Sequence, residues 1–320
     1  MAKVIGASVL HAAESRGYAM KFILGALAVL GLAGAAHAQE RTGTLKKIAD
    51  TKTITLGVRD SSVPFSYLDD NQKPVGYAID ICMQVVDAIK TELKMPDLAV
   101  VMNPVTSSTR IPLMANGTID LECGSTTNNA ERQKQVAFSN TYFLTASKFV
   151  AKKTANLMTI DSLKGKSVVS TSGTTNIVQL NKANVDRNLG LNVLAGKDHA
   201  ESFLLVETGR AAAFVMDDVL LASLAASAKE PGAYAISDDA FSQPEPYGIM
   251  LRRDDAPFKA VVDRATAALY RSPAGPALYA KWFMSPIPPR NINLNLPMAP
   301  ALARAFQNPS DSPDPAHYAQ

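Results

Sequence analysis

Cysteine, tryptophan and histidine are scarce in this chain: two, one and four residues among 320. The two cysteines, Cys82 and Cys123, stand alone in sequence with no histidine nearby. That excludes the ligand spacing of a structural zinc site and the framework of a disulfide-dense scaffold. A surplus of one charge sign is also missing, since 32 basic residues meet 29 acidic ones. Setting aside residues 1–38, which carry Lys3, Arg16 and Lys21 against Glu14, lowers the formal charge from +3 to +1. Nothing in that balance favours nucleic acid or an anionic membrane as a partner. Long apolar runs are lacking as well. The longest, "FILGALAVLGLAGAA" (22–36), has 15 residues, short of the roughly 20 a membrane helix needs.

That run has another reading. Met20-Lys21 precedes it and Ala36-His37-Ala38 follows it, which is the basic start, apolar core and small-x-small site of a cleavable secretory signal. Residues 1–38 are therefore expected to be removed, with cleavage near Ala38-Gln39 and Met20 an alternative start. No cysteine occupies the cleavage site, so no lipid anchor is expected. In the exported, oxidising compartment, Cys82 and Cys123 are either two buried thiols or a disulfide.

Beyond the leader, strand and helix patterns alternate. Strands are expected at "TITLGVR" (53–59), "LAVVMNPV" and "TIDLEC", with helices at Asp80–Leu93 and Ser107–Asn116. On the first helix Cys82, Val85, Val86, Ile89 and Leu93 form one apolar stripe. After the extended "TYFLTASKFVAKK" a second series starts: "KSVVSTS", "NIVQLNKA", "LNVLAG", "AESFLLVETG", "AAAFVMD" and "VLLASLAASA". "PYGIMLRR" is extended again, and a helix beginning at Asp254 or Asp255 carries Phe258, Val261, Val262, Ala265 and Leu269 on one face. The alternation implies two α/β units with mainly parallel sheets. The two extended pieces, near Thr145–Val150 and Tyr247–Leu251, read as crossings and as a hinge. One lobe would then comprise 39–145 and 246–290 and the other 146–245. The proline-rich remainder, 291–320, is expected to be a loosely packed tail.

In open α/β sheets ligands gather beyond the carboxyl ends of strands and at helix N-termini. Collecting the polar residues just past each expected strand yields Arg59, then Ser107 and Arg110, then Ser125, Thr127 and Arg132. The second unit contributes Thr174, Thr175, His199 and Asp217. Three arginines, one histidine, one acid and several hydroxyls suit an anion that also bears one cationic group. Singly, each residue has a plainer explanation. Strand-end arginines often lie at a solvated rim, and Ser107, Ser125, Thr127 and Asp217 are suitable helix caps. Arg110, though, stands near a helix start, where the dipole favours anions. It is better placed if it shares a bound anion with that helix.

The segments "NGTIDLECGSTTNNAERQKQVAFSNTYF", "LKGKSVVSTSGTT", "GKDHAESF", "ETGRAAAFVMDD" and "WFMSPIPPRNINLN" resemble the periplasmic solute-binding proteins of ABC importers for polar amino acids. The glutamate/aspartate-binding branch is the most similar, over about residues 44–295. The resemblance implies a two-lobed periplasmic-binding-protein fold with the ligand in the cleft and a two-strand hinge. It implies that Arg132, with Thr127 and Thr175, holds the α-carboxylate and that Asp217, with Ser125, holds the ammonium. Arg59, Arg110, Ser107 and His199 would serve the side-chain carboxylate. The implied partners are L-glutamate or L-aspartate and membrane permease subunits; the protein would act as a monomer, with no cofactor and no metal. A periplasmic dehydratase or lyase on the same fold is the competing reading. It would need a poised titratable group beside the substrate, and Glu122, which alternates away from the expected ligand side, is a poor candidate. A sensor ectodomain would need a membrane span and a signalling domain. Another polar amino acid as ligand is the remaining alternative.

Overall fold

The computed structural model describes residues 42–319; the expected leader, 1–38, lies outside them. Helix α1 (Gly43–Thr51) leads into β1 (Thr53–Val58), a small antiparallel sheet of β2 (Ser61–Ser62), β3 (Ser66–Leu68) and β4 (Pro74–Val75), and helix α2 (Tyr77–Leu93). Then come β5 (Ala99–Pro104), α3 (Arg110–Ala115), β6 (Leu121–Glu122), α4 (Ala130–Gln133) and β7 (Val136–Phe138). Strands β8 (Phe143–Thr145) and β9 (Ser147–Lys152) carry the chain into the second series. That series comprises β10 (Ser167–Thr171), α5 (Thr175–Asp186), β11 (Asn192–Gly196), α6 (His199–Glu207), β12 (Ala213–Asp217), α7 (Asp218–Ser227) and β13 (Tyr234–Ile236). Strands β14 (Glu245–Tyr247) and β15 (Met250–Arg252) return, followed by α8 (Ala256–Arg271), α9 (Ala274–Phe283) and α10 (Pro300–Gln307).

Two five-stranded sheets result, ordered β5-β1-β6-β15-β7 and β11-β10-β12-β9-β13. In each, a single strand runs against the rest: β15 is antiparallel to β6 and β7, and β9 is antiparallel to β12 and β13. These two strands directly follow the crossings, so each sheet takes its antiparallel member from the chain arriving from the other. The crossings themselves pair as a two-stranded ribbon, Thr145 opposite Glu245 and Phe143 opposite Tyr247. The crossing ribbon thus sits slightly N-terminal to the segments the sequence indicates, because Ser147–Lys152 and Met250–Arg252 are already sheet strands.

The local chemistry accounts for the elements. Cys82, Val85, Val86, Ile89 and Leu93 of α2 are all buried, as the stripe demands, and Cys82 is joined to Cys123 by a disulfide. Every residue of β12 is buried, as expected for an inner strand covered on both faces. Asp255 caps α8 through the Phe258 amide and also accepts from the Thr44 amide at 2.7 Å. The expected helix at 107–116 is shorter, Arg110–Ala115, and the "TIDLEC" strand contracts to Leu121–Glu122.

The tail departs from expectation. Rather than packing loosely, Leu302 and Phe306 of α10 are buried, and Phe306 stacks on Tyr270 of α8 at 4.6 Å. Tyr318 is buried too, its hydroxyl 2.7 Å from Thr141 Oγ1. Composition pointed to looseness, but two apolar residues one helical turn apart and one tyrosine are enough to seat the segment.

Candidate functional site

The carboxyl ends of both sheets converge on a small, polar cleft. It is lined by Ser107, Arg110, Ser125, Thr127 and Arg132 from the first sheet's loops, and by Thr174, Thr175, Asn176, His199, Met216 and Asp217 from the second's. Arg59 stands behind this lining, its Nη2 donating to Ser107 Oγ at 3.0 Å. All ten residues singled out from the sequence are therefore in or directly behind one cleft.

Each is held by its own element. Arg132 projects from α4, whose N-terminus is capped by Asn129 accepting from the Arg132 amide at 2.9 Å. Ser125 and Thr127 are thus not needed as caps. The Arg132 guanidinium donates to the Thr127 carbonyl at 2.9 Å and, across the cleft, to the Gly173 carbonyl at 3.3 Å. Arg110 is the first residue of α3 and donates to the Ser125 carbonyl at 3.2 Å and to Thr126 Oγ1. Thr174 caps α5 through the Ile177 amide, and Thr175 Oγ1 lies 3.5 Å from Thr127 Oγ1. Asp217 ends β12 and makes no capping bond to α7. Its carboxylate accepts from Asn176 Nδ2 at 2.9 Å and from the Tyr247 hydroxyl. His199 opens α6 but is buried, with Nδ1 3.0 Å from Thr171 Oγ1.

The electrostatics are those of a site short of negative charge. Arg59 is 1% exposed, Arg110 2% and Arg132 7%. Burial, and then the neighbouring Arg110, lower the pKa of Arg59 to about 10 and that of Arg132 to about 9. Burial, then Arg59 and Arg110, push His199 well below its ordinary value, so its imidazole is neutral near pH 7. Burial raises the pKa of Asp217, while the bonds from Asn176 and Tyr247 pull it back down. Arg59 Nη1, Arg110 Nε and Ser125 Oγ are buried with no hydrogen-bond partner in the protein. Such orphaned groups are costly, and acceptor oxygens of an anion in the cleft would satisfy the two arginine donors.

Sequence reasoning missed several participants. Asn176 and Tyr247 both hold Asp217; Asn176 follows Thr175 directly, and Tyr247 lies in the returning crossing. Glu122 does not line the cleft, as its alternation indicated, yet it lies 3.7 Å from Arg110. Glu245, on the same returning strand as Tyr247, accepts from Gln179 at 2.6 Å, and its pKa is raised to about 8 by burial and then by Asp217. No group of three or more His, Cys, Asp or Glu side chains suited to a metal occurs among the described residues.

Comparison with known proteins gives the same grouping. The chain is 51% identical over 275 residues to the L-glutamate/L-aspartate-binding protein of Pseudomonas aeruginosa, covering 86% of this chain and 91% of the relative. It is 47% identical over 282 residues to the glutamate/aspartate import solute-binding protein of Escherichia coli K12, covering 88% and 93%. Among solved structures, holo ArgBP from T. maritima matches with a TM-score of 0.63 and 26% identity, over 74% of this chain and 98% of that one. Residues 54–285 match the model of bacterial extracellular solute-binding proteins, family 3. The chain belongs to that family and has its two-lobed α/β fold, with the cleft between two mixed sheets.

Proposed function

We propose that the protein is the extracytoplasmic solute-binding component of an ABC importer, that it binds L-glutamate or L-aspartate, and that it passes the ligand to a membrane permease. One observation carries the reading: Arg110 and Arg132, with Arg59 buried behind Ser107, share one small cleft with a single buried aspartate, Asp217. A ligand with one carboxylate and one ammonium engages one arginine and Asp217, leaving Arg59 and Arg110 with Glu122, 3.7 Å from Arg110, as their one buried counter-charge and the pair still one negative charge short. A second carboxylate supplies that charge, and arginine's fork suits bidentate carboxylate binding.

In this reading Arg132, with Thr127 and Thr175, takes the α-carboxylate, and Asp217, with Ser125, takes the ammonium. Arg59, Arg110, Ser107 and His199 serve the side-chain carboxylate. The tautomer of neutral His199 in which Nδ1 accepts from the Thr171 hydroxyl would present Nε2–H to that carboxylate. Lobe 1 comprises 39–145 and 246–290, and lobe 2 comprises 146–245, with 291–320 packed back as the tail. Since the charged groups come from both lobes, an open cleft leaves the ligand half-paired. Closure about the β8–β14 ribbon completes its shell, so the ligand favours the closed state by its differential contacts. The protein works as a monomer in the periplasm after cleavage near Ala38-Gln39.

An enzyme on the same fold needs a group poised to move a proton. Asp217 is held by two donors and awaits an ammonium, and His199 is kept neutral by burial beside two arginines, so the site supports binding without chemistry. The test is a thermal melt with L-glutamate alongside an assay of ligand recovered. A rise in melting temperature with all ligand recovered intact supports the proposal; no shift, or consumption of the ligand, defeats it.

A further inference from the structure

Beneath the cleft lies a charged chain that no ligand contact requires. Glu122 sits in the middle of the first sheet, opposite Gly57 of β1 and Met250 of β15, and is fully buried. Its Oε2 accepts from Thr126 Oγ1 at 2.5 Å, and Thr126 Oγ1 in turn accepts from Arg110 Nη1. Its Oε1 has no hydrogen-bond partner and lies 3.7 Å from Arg110 Nη1. Space has been left for it: a Cβ at Gly124 would lie 2.2 Å from that Oε1. A sheet centre would ordinarily take an apolar side chain here, because burying a carboxylate is expensive unless it is paired.

Its partners explain the placement. Arg59 and Arg110 are both buried and repel each other, and Glu122 counters that repulsion on Arg59. Without a counter-charge, two like guanidiniums would separate or take alternative rotamers, and the donors meant for a second carboxylate would be spread over several positions. We propose that Glu122, acting through the Thr126 hydroxyl, is a positioning residue that fixes Arg110 beside Arg59, and so sets the preference for a ligand with a second carboxylate. The inference rests on the ligand class proposed above. It assigns no ligand contact to Glu122.

Two effects compete and give opposite signs. If Glu122 acted only as a nearby negative charge, removing it would relieve repulsion of the ligand and tighten glutamate binding. If it positions Arg110, removing it weakens glutamate selectively, because glutamine does not depend on an aligned cation pair. The experiment is calorimetric titration of the wild-type protein, Glu122→Gln, Thr126→Val and Thr126→Ser with L-glutamate and with L-glutamine. Glu122→Gln and Thr126→Val are expected to weaken glutamate by about tenfold or more, the scale of one charge-assisted hydrogen bond, while glutamine changes by less than about threefold. Thr126→Ser, which keeps the hydroxyl, restores glutamate affinity. If Glu122→Gln fails to fold, the Thr126 pair carries the test alone. Unchanged or tighter glutamate binding in the folded variants, or equal weakening of both ligands, overturns the inference while leaving the ligand class standing. A wild-type protein that does not bind glutamate overturns both.

Discussion

Arg132 and Gly173 join the two sides of the cleft: the guanidinium from α4 donates to the carbonyl in the β10–α5 loop at 3.3 Å. Gly173 has φ +76°, and a Cβ there would lie 2.6 Å from Ser108 Cα and 2.7 Å from Ser108 N. The two loops meet backbone to backbone, with no flexible side chain to yield.

Closure can therefore be blocked at that point. Gly173→Ala adds both a left-handed alanine and a backbone clash. We expect weaker binding of every ligand and a larger radius of gyration at saturating glutamate than in the wild type, read by solution scattering. A variant that contracts like the wild type would show that the loops need not approach this closely.

The arginines should separate by role. Arg59→Ala and Arg110→Ala remove groups assigned to the second carboxylate, so each should cost glutamate on the order of 2–5 kcal/mol while glutamine changes little. Arg132→Ala should weaken both ligands, since both carry an α-carboxylate. Titrations of the three variants with the two amino acids check this, and equal losses for all three variants would remove the assignment.

Asp217 should matter to anything with an ammonium. Asp217→Asn leaves that cation facing an amide in a closed site, and a loss of roughly 2–5 kcal/mol is expected for L-glutamate. Glutarate, which has both carboxylates and no ammonium, should bind the variant no worse than it binds the wild type. A variant that binds L-glutamate as the parent does would mean the ammonium lies elsewhere.

Glu245 gives a pH signature. Its folded pKa is about 8, against 4.5 for the free side chain. A raised acid contributes stability that is present below about pH 4.5 and is lost as pH rises through about 8. Glu245→Gln removes that slope. In denaturant unfolding without ligand, the variant should gain on the wild type between about pH 5 and pH 9. His199 titrates alike in both proteins and cancels in the difference. A constant difference across that range would contradict the raised pKa.

How far the sequence reaches can be judged from these same residues. The strand-end rule located Arg59, Arg110, Arg132, His199 and Asp217, because parallel sheets bring the residues just past their strands to one edge. It could not find Tyr247 or Glu245, which arrive on the returning crossing and meet Asp217 only through the β8–β14 pairing. Glu122 gave no signal because alternation tells which face a residue takes, not that Arg110 comes within 3.7 Å of it. The tail was misjudged on composition, since Leu302, Phe306 and Tyr318 outweigh its many prolines. The tail also bears on the site: its Asp311 carbonyl accepts from Asn128 Nδ2 at 2.9 Å, next to Thr127.

The central claim is that the excess of buried cations over buried acids at the cleft selects a second carboxylate. Calorimetric titration of the wild-type protein with L-glutamate, L-aspartate and L-glutamine at moderate salt tests it most directly. We expect one site, a Kd near or below about 1 μM for an acidic amino acid, equivalent to about 8 kcal/mol, and binding of glutamine weaker by about a hundredfold or more because a neutral amide leaves buried arginines unpaired. Equal affinity for glutamate and glutamine would contradict the account.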